Sequence, residues 1–416
     1  MAIITFEHVD VVFGPTPKTA LKMLDDHQGR DEIFNATRNL VAVHDACLKV
    51  AEGQICVLMG LSGSGKSSLL RCVNGLNKAT RGRIRVRRRD GDVDVSRCSR
   101  KQLHDLRTNH ISMVFQQFAL MPWRTVRDNV GFGLDLAGVG RGDRDRIVDE
   151  KLRMIRLSKW ADRFPHQLSG GMQQRVGLAR ALATDARILL MDEPFSALDP
   201  LIREHLQDEL LQLQAELKKT ILFVSHDLDE ALKLGSLIAI MEAGRIVQAG
   251  TPEDIVTDPA NDYVRRFVAS MNPLKVLRCG SIMRPVSRLR PVDGDRHRVW
   301  LDNDDRHALR LDADGRPRPS SEDGPGLAAF SPDMDFSLPA DPAGRNDYLT
   351  VGPDTPIRAA VEIYHATGKP MPVIDTGGKM LGVITIRDIL KGILQKTTPT
   401  VRETAARETG GNRGGR

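Results

Sequence analysis

Over the first 275 residues, short aliphatic runs alternate with longer amphipathic stretches. Residues 55–59, 188–191 and 221–225, the last closing on Ser225, are otherwise continuously apolar and too short for surface helices, so they read as buried strands. Residues 201–217 instead place Leu206, Leu210, Leu213 and Leu217 at helical spacing. Asp199 stands where an N-cap belongs and Pro200 at the first helical position, which marks the start of that helix. In residues 81–89, Ile84 and Val86 alternate with arginines, predicting a strand with one solvated face. Strand and helix signals in alternation predict an α/β domain. Residues 15–39 are polar, partly helical and expected to lie outside the sheet.

The texture changes near residue 276. Residues 284–346 are rich in Arg, Asp, Pro and Gly and weakly periodic, and 317–326 read as a linker or loop. Order returns over 348–395 as strand, helix, strand, strand, helix. The expected division is therefore 1–275, 276–346, 347–395 and a disordered tail over 396–416.

Composition narrows the class. A hydrophobic share of 41% is enough for a packed core. No apolar run reaches the length a membrane span needs, and the N-terminus has no secretory pattern. Five cysteines without CxxC spacing argue against a disulfide framework or a zinc site and fit a reducing cytosol. The net charge of +6 is mild for this length, and no recognition motif accompanies it, so nucleic acid is not an expected partner.

The chemistry lies in three short segments. Gly60, Leu61, Ser62, Gly63, Ser64, Gly65, Lys66 and Ser67, followed by Ser68, match GxxxxGK[ST] between a predicted strand and a helix carrying Leu69, Leu70, Val73 and Leu76. The glycines let backbone N–H groups turn inward around phosphate oxygens at a helix N-terminus. Lys66 supplies charge to the outer phosphates and Ser67 a hydroxyl for Mg²⁺. Residues 188–191 lead into Asp192 and Glu193; the first can reach a phosphate-bound metal and the second can polarise an attacking water. Residues 168–175 (LSGGMQQR) open another helix with a Ser-Gly-Gly turn, a second phosphate site in a chain that needs one.

That third segment resembles the signature LSGGQ of the ABC transporter ATPases, with Met172 in place of the usual Gln. The resemblance covers residues 1 to about 275. It implies a RecA-like core with an antiparallel β subdomain and a helical subdomain. It also implies ATP and Mg²⁺ as ligands, and a head-to-tail pair in which Ser169, Gly170, Gly171 and Gln174 of one copy close on the ATP of the other. By the same resemblance Gln116, rather than Gln117, contacts metal and water, residues 196–199 (SALD) signal across the pair, His226 meets the γ-phosphate, and Phe13 stacks on adenine. Catalysis is then expected from Glu193, His226 and Lys66, with Ser67, Gln116 and Asp192 around the metal.

With no span encoded, the expected partners are separate membrane permease subunits and, indirectly, a solute-binding protein, with this chain on the cytoplasmic face of the membrane. The insert at 15–39 and the segments 59–77, 113–130, 191–203 and 225–232 resemble importers of glycine betaine, choline and proline betaine; residues 31–37 and 55–77 look closest to choline members. Residues 371–375 and 382–390 resemble one motif of a small α+β CBS domain, with Thr385 and Asp388 at the positions that hold ribose and phosphate in nucleotide-binding members. The first motif of the usual pair is not recognisable, so a structural or docking role stays open beside nucleotide binding. An importer of another solute, or a soluble ABC ATPase, is the alternative; the insert and the single uninterrupted cassette argue against each.

Overall fold

The computed structural model describes residues 1–88, 91–116, 119–196, 198–269, 276–292, 295–319, 326–330 and 347–394. Gln117, the middle of the 317–326 linker and the 396–416 tail lie outside the described residues. The chain divides into two compact units, Met1–Val264 and Arg265–Arg416.

The first unit runs β1 (Ala2–Phe13), α1 (Pro17–Asp25), α2 (Arg30–Thr37), β2 (Leu40–Ala51), β3 (Ile55–Met59), α3 (Lys66–Val73), β4 (Arg81–Arg88), β5 (Gly91–Asp94), α4 (Arg100–Asp105), β6 (Ile111–Val114), α5 (Val126–Leu136), α6 (Arg141–Met154), α7 (Gly170–Ala183), β7 (Ile188–Asp192), α8 (Pro200–Leu217), β8 (Thr220–Val224), α9 (Leu228–Leu234), β9 (Leu237–Glu242), β10 (Arg245–Gly250) and α10 (Pro252–Thr257). Strands β3, β6, β7, β8 and β9 form a parallel sheet in the order β9-β3-β8-β7-β6, with β10 added antiparallel at one edge. Their continuous apolar character has its cause here, because β3, β7 and β8 are buried throughout. A second, antiparallel sheet has the order β2-β1-β4-β5. As expected, Ile84 and Val86 of β4 are buried while Arg83 and Arg85 are exposed. Leu69, Leu70, Cys72 and Val73 of α3 share one core cluster with residues of both sheets.

Helices α5, α6 and α7 pack around a separate core that includes Val130, Leu134, Val148, Leu152, Val176 and Ala179. Arg144 braces this helical subdomain by pairing with Asp128, Asp135 and Asp145. The insert at 15–39 folds as α1 and α2, which press Ala20, Leu24 and Ile33 onto Val12 and Val41. Helix α8 starts at its foreseen cap, with Asp199 accepting from the Ile202 N–H at 3.0 Å. Two sequence expectations overreach. Helix α3 ends at Val73, leaving Leu76 49% exposed beyond it, and on α8 only Leu206 and Leu210 of the leucine row are fully buried, Leu217 being exposed.

In the second unit, the strand, helix, strand, strand, helix order over 348–395 is present as Tyr348–Thr350, Ile357–Thr367, Met371–Ile374, Met380–Ile384 and Ile386–Leu394. The preceding stretch is more ordered than its composition suggests. Pro291–Val292, Asp295–Trp300, Ala308–Leu311 and Pro317–Arg318 form a four-stranded meander, and Leu327–Ala329 pairs in parallel with Tyr348–Thr350. Charged residues hid these strands from periodicity: they sit on the wet face, while Leu289, Val299, Leu301 and Leu309 face a small core with Tyr348 and Val383.

One buried charge fastens the antiparallel sheet. Asp10 is 1% exposed and accepts from Arg81 Nε at 2.6 Å and the Asp45 N–H at 2.9 Å, with His44 Nδ1 2.8 Å away. Truncation leaves these donors unpaired, so Asp10→Ala should cost about 2–3 kcal/mol. The urea midpoint of the purified variant checks this; a midpoint equal to wild type would refute it.

Candidate functional site

Gly60 to Ser67 join β3 to α3 as a loop pressed against two neighbouring strands. Gly60 (φ 141°) and Gly65 (φ 97°) lie in the positive-φ region, and a Cβ on either would fall 2.1 Å from a carbonyl oxygen, of Met241 and Ala42 respectively. No other residue fits both the dihedral and the approach. The Lys66 ammonium is buried and donates to the carbonyls of Gly60 (2.9 Å) and Leu61 (3.0 Å). Burial pushes its pKa below the ordinary lysine value, while Glu193 and then Asp192 pull it back up. The buried Ser64 Oγ has no hydrogen-bond partner among the described residues. Ser62, Gly63, Gly65, Lys66, Ser67 and Ser68 line a cavity of about 420 Å³ together with Gln116, Glu193 and His226. Leu61 stays outside that lining, largely exposed, with its N–H donated to Tyr263 Oη at 3.3 Å.

The two carboxylates at the end of β7 are held differently. Asp192 is fully buried; it accepts from Ser67 Oγ at 2.7 Å and from Arg71 Nε at 3.0 Å. Arg71 was missed in the sequence, although it lies one helical turn beyond Ser67 and so on the same face of α3. Glu193 is half-buried and has φ 48°, a left-handed backbone costing about 1–2 kcal/mol for a residue with a Cβ. Its N–H donates to the Val224 carbonyl at 3.1 Å, and its carbonyl accepts from Ser196 Oγ at 3.0 Å. This strained backbone brings Glu193 Oε2 within 3.1 Å of Gln116 Nε2 and 3.4 Å of His226 Nδ1.

Not every expected residue joins them. Ser169 caps α7, accepting from the Met172 N–H at 3.4 Å; Ser169 and Gly170 are exposed, Gly171 is half-exposed, and none of them lines the cavity. Gln174, expected at the nucleotide of a second copy, faces inward in this chain. It is 2% exposed and its amide donates to the Pro194 and Glu193 carbonyls, so it supports the Glu193 turn from behind. Phe13 ends β1 and is 41% exposed, so it is not a core aromatic, and it stands outside the cavity lining.

Residues 43–196 match the ABC transporter family model, and residues 344–395 match that of the CBS domain. The chain is 41% identical over 391 residues to the glycine betaine transport ATP-binding protein OpuAA of Bacillus subtilis, covering 94% of this chain and 92% of that one. It is 40% identical over 388 residues to the glycine betaine/proline betaine transport system ATP-binding protein ProV of Salmonella typhimurium, covering 92% of this chain and 95% of ProV. This chain belongs to the ATP-binding subunits of ABC transporters. The dimeric structure of an ATP-binding cassette in a post-hydrolysis state, bound to ADP and Pi, superposes with a TM-score of 0.51 at 30% identity, over 60% of this chain and 98% of that one. The fold is thus that of an ABC ATPase with a C-terminal CBS domain.

Within this ABC subunit's CBS domain, Asp388 is already engaged. Its Oδ2 accepts from the Thr385 N–H (2.9 Å), Thr385 Oγ1 (2.6 Å) and Arg284 Nε (3.3 Å). A ribose at this carboxylate would have to compete with Arg284.

The position of His226 rests on a buried acid that sequence reading passed over. Glu230 accepts from Ser225 Oγ at 2.5 Å and from Gln207 Nε2 of α8 at 3.0 Å, while Ser225 Oγ accepts from the Asp227 N–H at 2.9 Å. Burial raises the Glu230 pKa above the ordinary glutamate value, partly offset by the Ser225 and Gln207 bonds. An acid whose folded pKa is raised binds more protons folded than unfolded. Its stabilisation is complete below the unfolded value and is lost as pH rises through the folded one. Urea midpoints of wild type should therefore fall more than those of Glu230→Gln, whose amide cannot ionise, as pH rises above the ordinary glutamate range. Parallel curves would show that Glu230 is ionised in the fold as it is in the unfolded chain.

Proposed function

We propose that this chain is the ATP-hydrolysing subunit of an importer that takes up a quaternary amine, glycine betaine or choline. The observation that carries the reading is similarity running through cassette and CBS domain alike to proteins named for glycine betaine transport. Choline stays beside glycine betaine because residues 31–37 and 55–77 resemble choline members. The chain works at the cytoplasmic face of the membrane against separate permease subunits fed by a solute-binding protein; among the described residues no helix is long and apolar enough to cross a membrane.

In this reading the 420 Å³ cavity takes the phosphates of ATP. The loop fits them: two glycines whose Cβ would collide, a buried lysine, and a buried Ser64 hydroxyl without a partner. Ser67 Oγ, Asp192 and Gln116 offer the oxygen donors that suit Mg²⁺, which when bound offsets phosphate charge. Lys66 leaves the Gly60 and Leu61 carbonyls for the outer phosphates. Glu193 takes a proton from the attacking water, and His226 and Gln116 hold its carboxylate and the γ-phosphate in line. The exposed Ser169 and Gly170 turn, with Gly171, closes on the nucleotide of a second copy, head to tail. Phe13 packs beside the adenine.

Glu193→Gln keeps the shape and removes the base, so ATP turnover should fall at least about 100-fold. The variant should also accumulate as an ATP-bound dimer on gel filtration. Wild-type turnover in it would overturn the assignment. In cells without other carriers, deleting this chain should abolish uptake of labelled glycine betaine, choline or both, with rescue by wild type and not by Lys66→Ala. Unchanged uptake of both would leave the ATPase and refute the solute.

A further inference from the structure

Two β-bulges face each other on the edge pair of the antiparallel sheet. Between the partners Phe6↔Leu48 and Val9↔Ala46, Glu7 and His8 of β1 stand opposite the single Cys47 of β2. Between Val9↔Ala46 and Val11↔Val43 the situation reverses, with His44 and Asp45 of β2 opposite the single Asp10. A bulge re-aims a side chain at the cost of ladder bonds. Here both bulged strands also place a residue with a Cβ in the left-handed region, His8 at φ 47° and Asp45 at φ 49°. The result is convergence. His8 Nδ1 lies 2.8 Å from Asp45 Oδ1 and 3.6 Å from Cys47 Sγ, and the three donor atoms all fall within 4.8 Å of one another.

A surface ion pair explains the His8–Asp45 contact alone. It does not explain why a thiol shares the same ring nitrogen, since that nitrogen carries at most one proton for two acceptors. Nor does it explain paired strain at the two residues that present the donors. A cation at the centre satisfies all three groups together. Supporting contacts fit that reading. The His8 N–H donates to Cys47 Sγ at 3.3 Å, which holds the sulfur beside the ring, and buried Asp10 holds the Asp45 N–H and so fixes the second bulge. The other facing charge is Arg245, 3.9 Å from Asp45 Oδ2 and hydrogen-bonded to His44, which leaves Asp45 Oδ1 for a metal.

We propose that His8, Asp45 and Cys47 form a binding site for a divalent transition-metal ion of the zinc type, with water as the fourth ligand. A nitrogen, oxygen and sulfur set selects zinc over Mg²⁺, so the ion required by ATP does not compete. Binding forms the metal–sulfur bond and releases the Cys47 thiol proton to solvent. The site shares no residue with the phosphate-loop cavity. Motif spacing concealed it, because the end of β1, the insert and the first half of β2 separate Cys47 from His8.

The test is titration of the full nucleotide-free chain with Zn²⁺ and with Co²⁺, after chelation and desalting. Wild type should retain one equivalent of zinc and show a thiolate-to-cobalt charge-transfer band with a four-coordinate spectrum. Cys47→Ser should lose the band and His8→Ala the retained equivalent, whereas Cys98→Ser should keep both. Metal-free melting temperature and ATP turnover of Cys47→Ser should match wild type, separating loss of a ligand from misfolding. Zinc retained equally by wild type and Cys47→Ser, or no charge-transfer band in wild type, would overturn the site. Because the readout is metal binding, it stands or falls separately from the transport reading.

Discussion

The close approach of the phosphate loop to two other strands is the constraint on which the rest of the cassette depends. Gly60 lies against the Met241 carbonyl of β9 and Gly65 against the Ala42 carbonyl of β2. The loop thereby ties the parallel sheet to the antiparallel one, and α3, which starts inside it, shares its core with both. Core packing is stiff, so the loop's backbone is set before any ligand arrives. That stiffness gives buried Lys66 its orientation toward its own loop and fixes Ser67 beside Asp192.

Around this frame the reactive end of the site is built under strain. Glu193 adopts a left-handed backbone, held by the Val224 carbonyl, by Ser196 and by the Gln174 amide. Gln174 sits on the helix that the exposed Ser169–Gly170 turn begins, so one helix supports the Glu193 turn and carries the signature segment. His226 stands on a loop whose other end is pinned through Ser225 and Glu230 to α8, the helix that begins at Asp199. Glu193 and His226 are thus each fastened to an element that also carries one of the segments expected to face a second copy.

Much of this was legible from residue order. Buried strands announced themselves as unbroken aliphatic runs, since both faces are covered, and the cap at Asp199 with Pro200 behind it marked α8. The phosphate loop, the Asp192–Glu193 pair and the LSGG turn read directly, because in each the backbone conformation and the chemistry need the same few residue types side by side. Weaker signals failed for identifiable reasons. Leu76 and Leu217 kept a helical rhythm past the point where packing partners end. The meander over 291–318 was hidden because its outward positions are charged and its inward ones few.

Sequence by itself determined the family, and with it the residues proposed to bind phosphate, ligate a metal and accept a proton. It could do so because neighbours along the chain build those loops. Tertiary structure alone decided what depends on residues far apart: Gln174 turned inward behind Glu193, Arg71 on Asp192, Gln207 on Glu230, Arg284 on Asp388, and His8 with Asp45 and Cys47 around one point. In each case a hydrogen bond or a donor set spans elements whose sequence separation carries no pattern. Only the register of strands and the packing of helices bring such groups within 3–4 Å of each other.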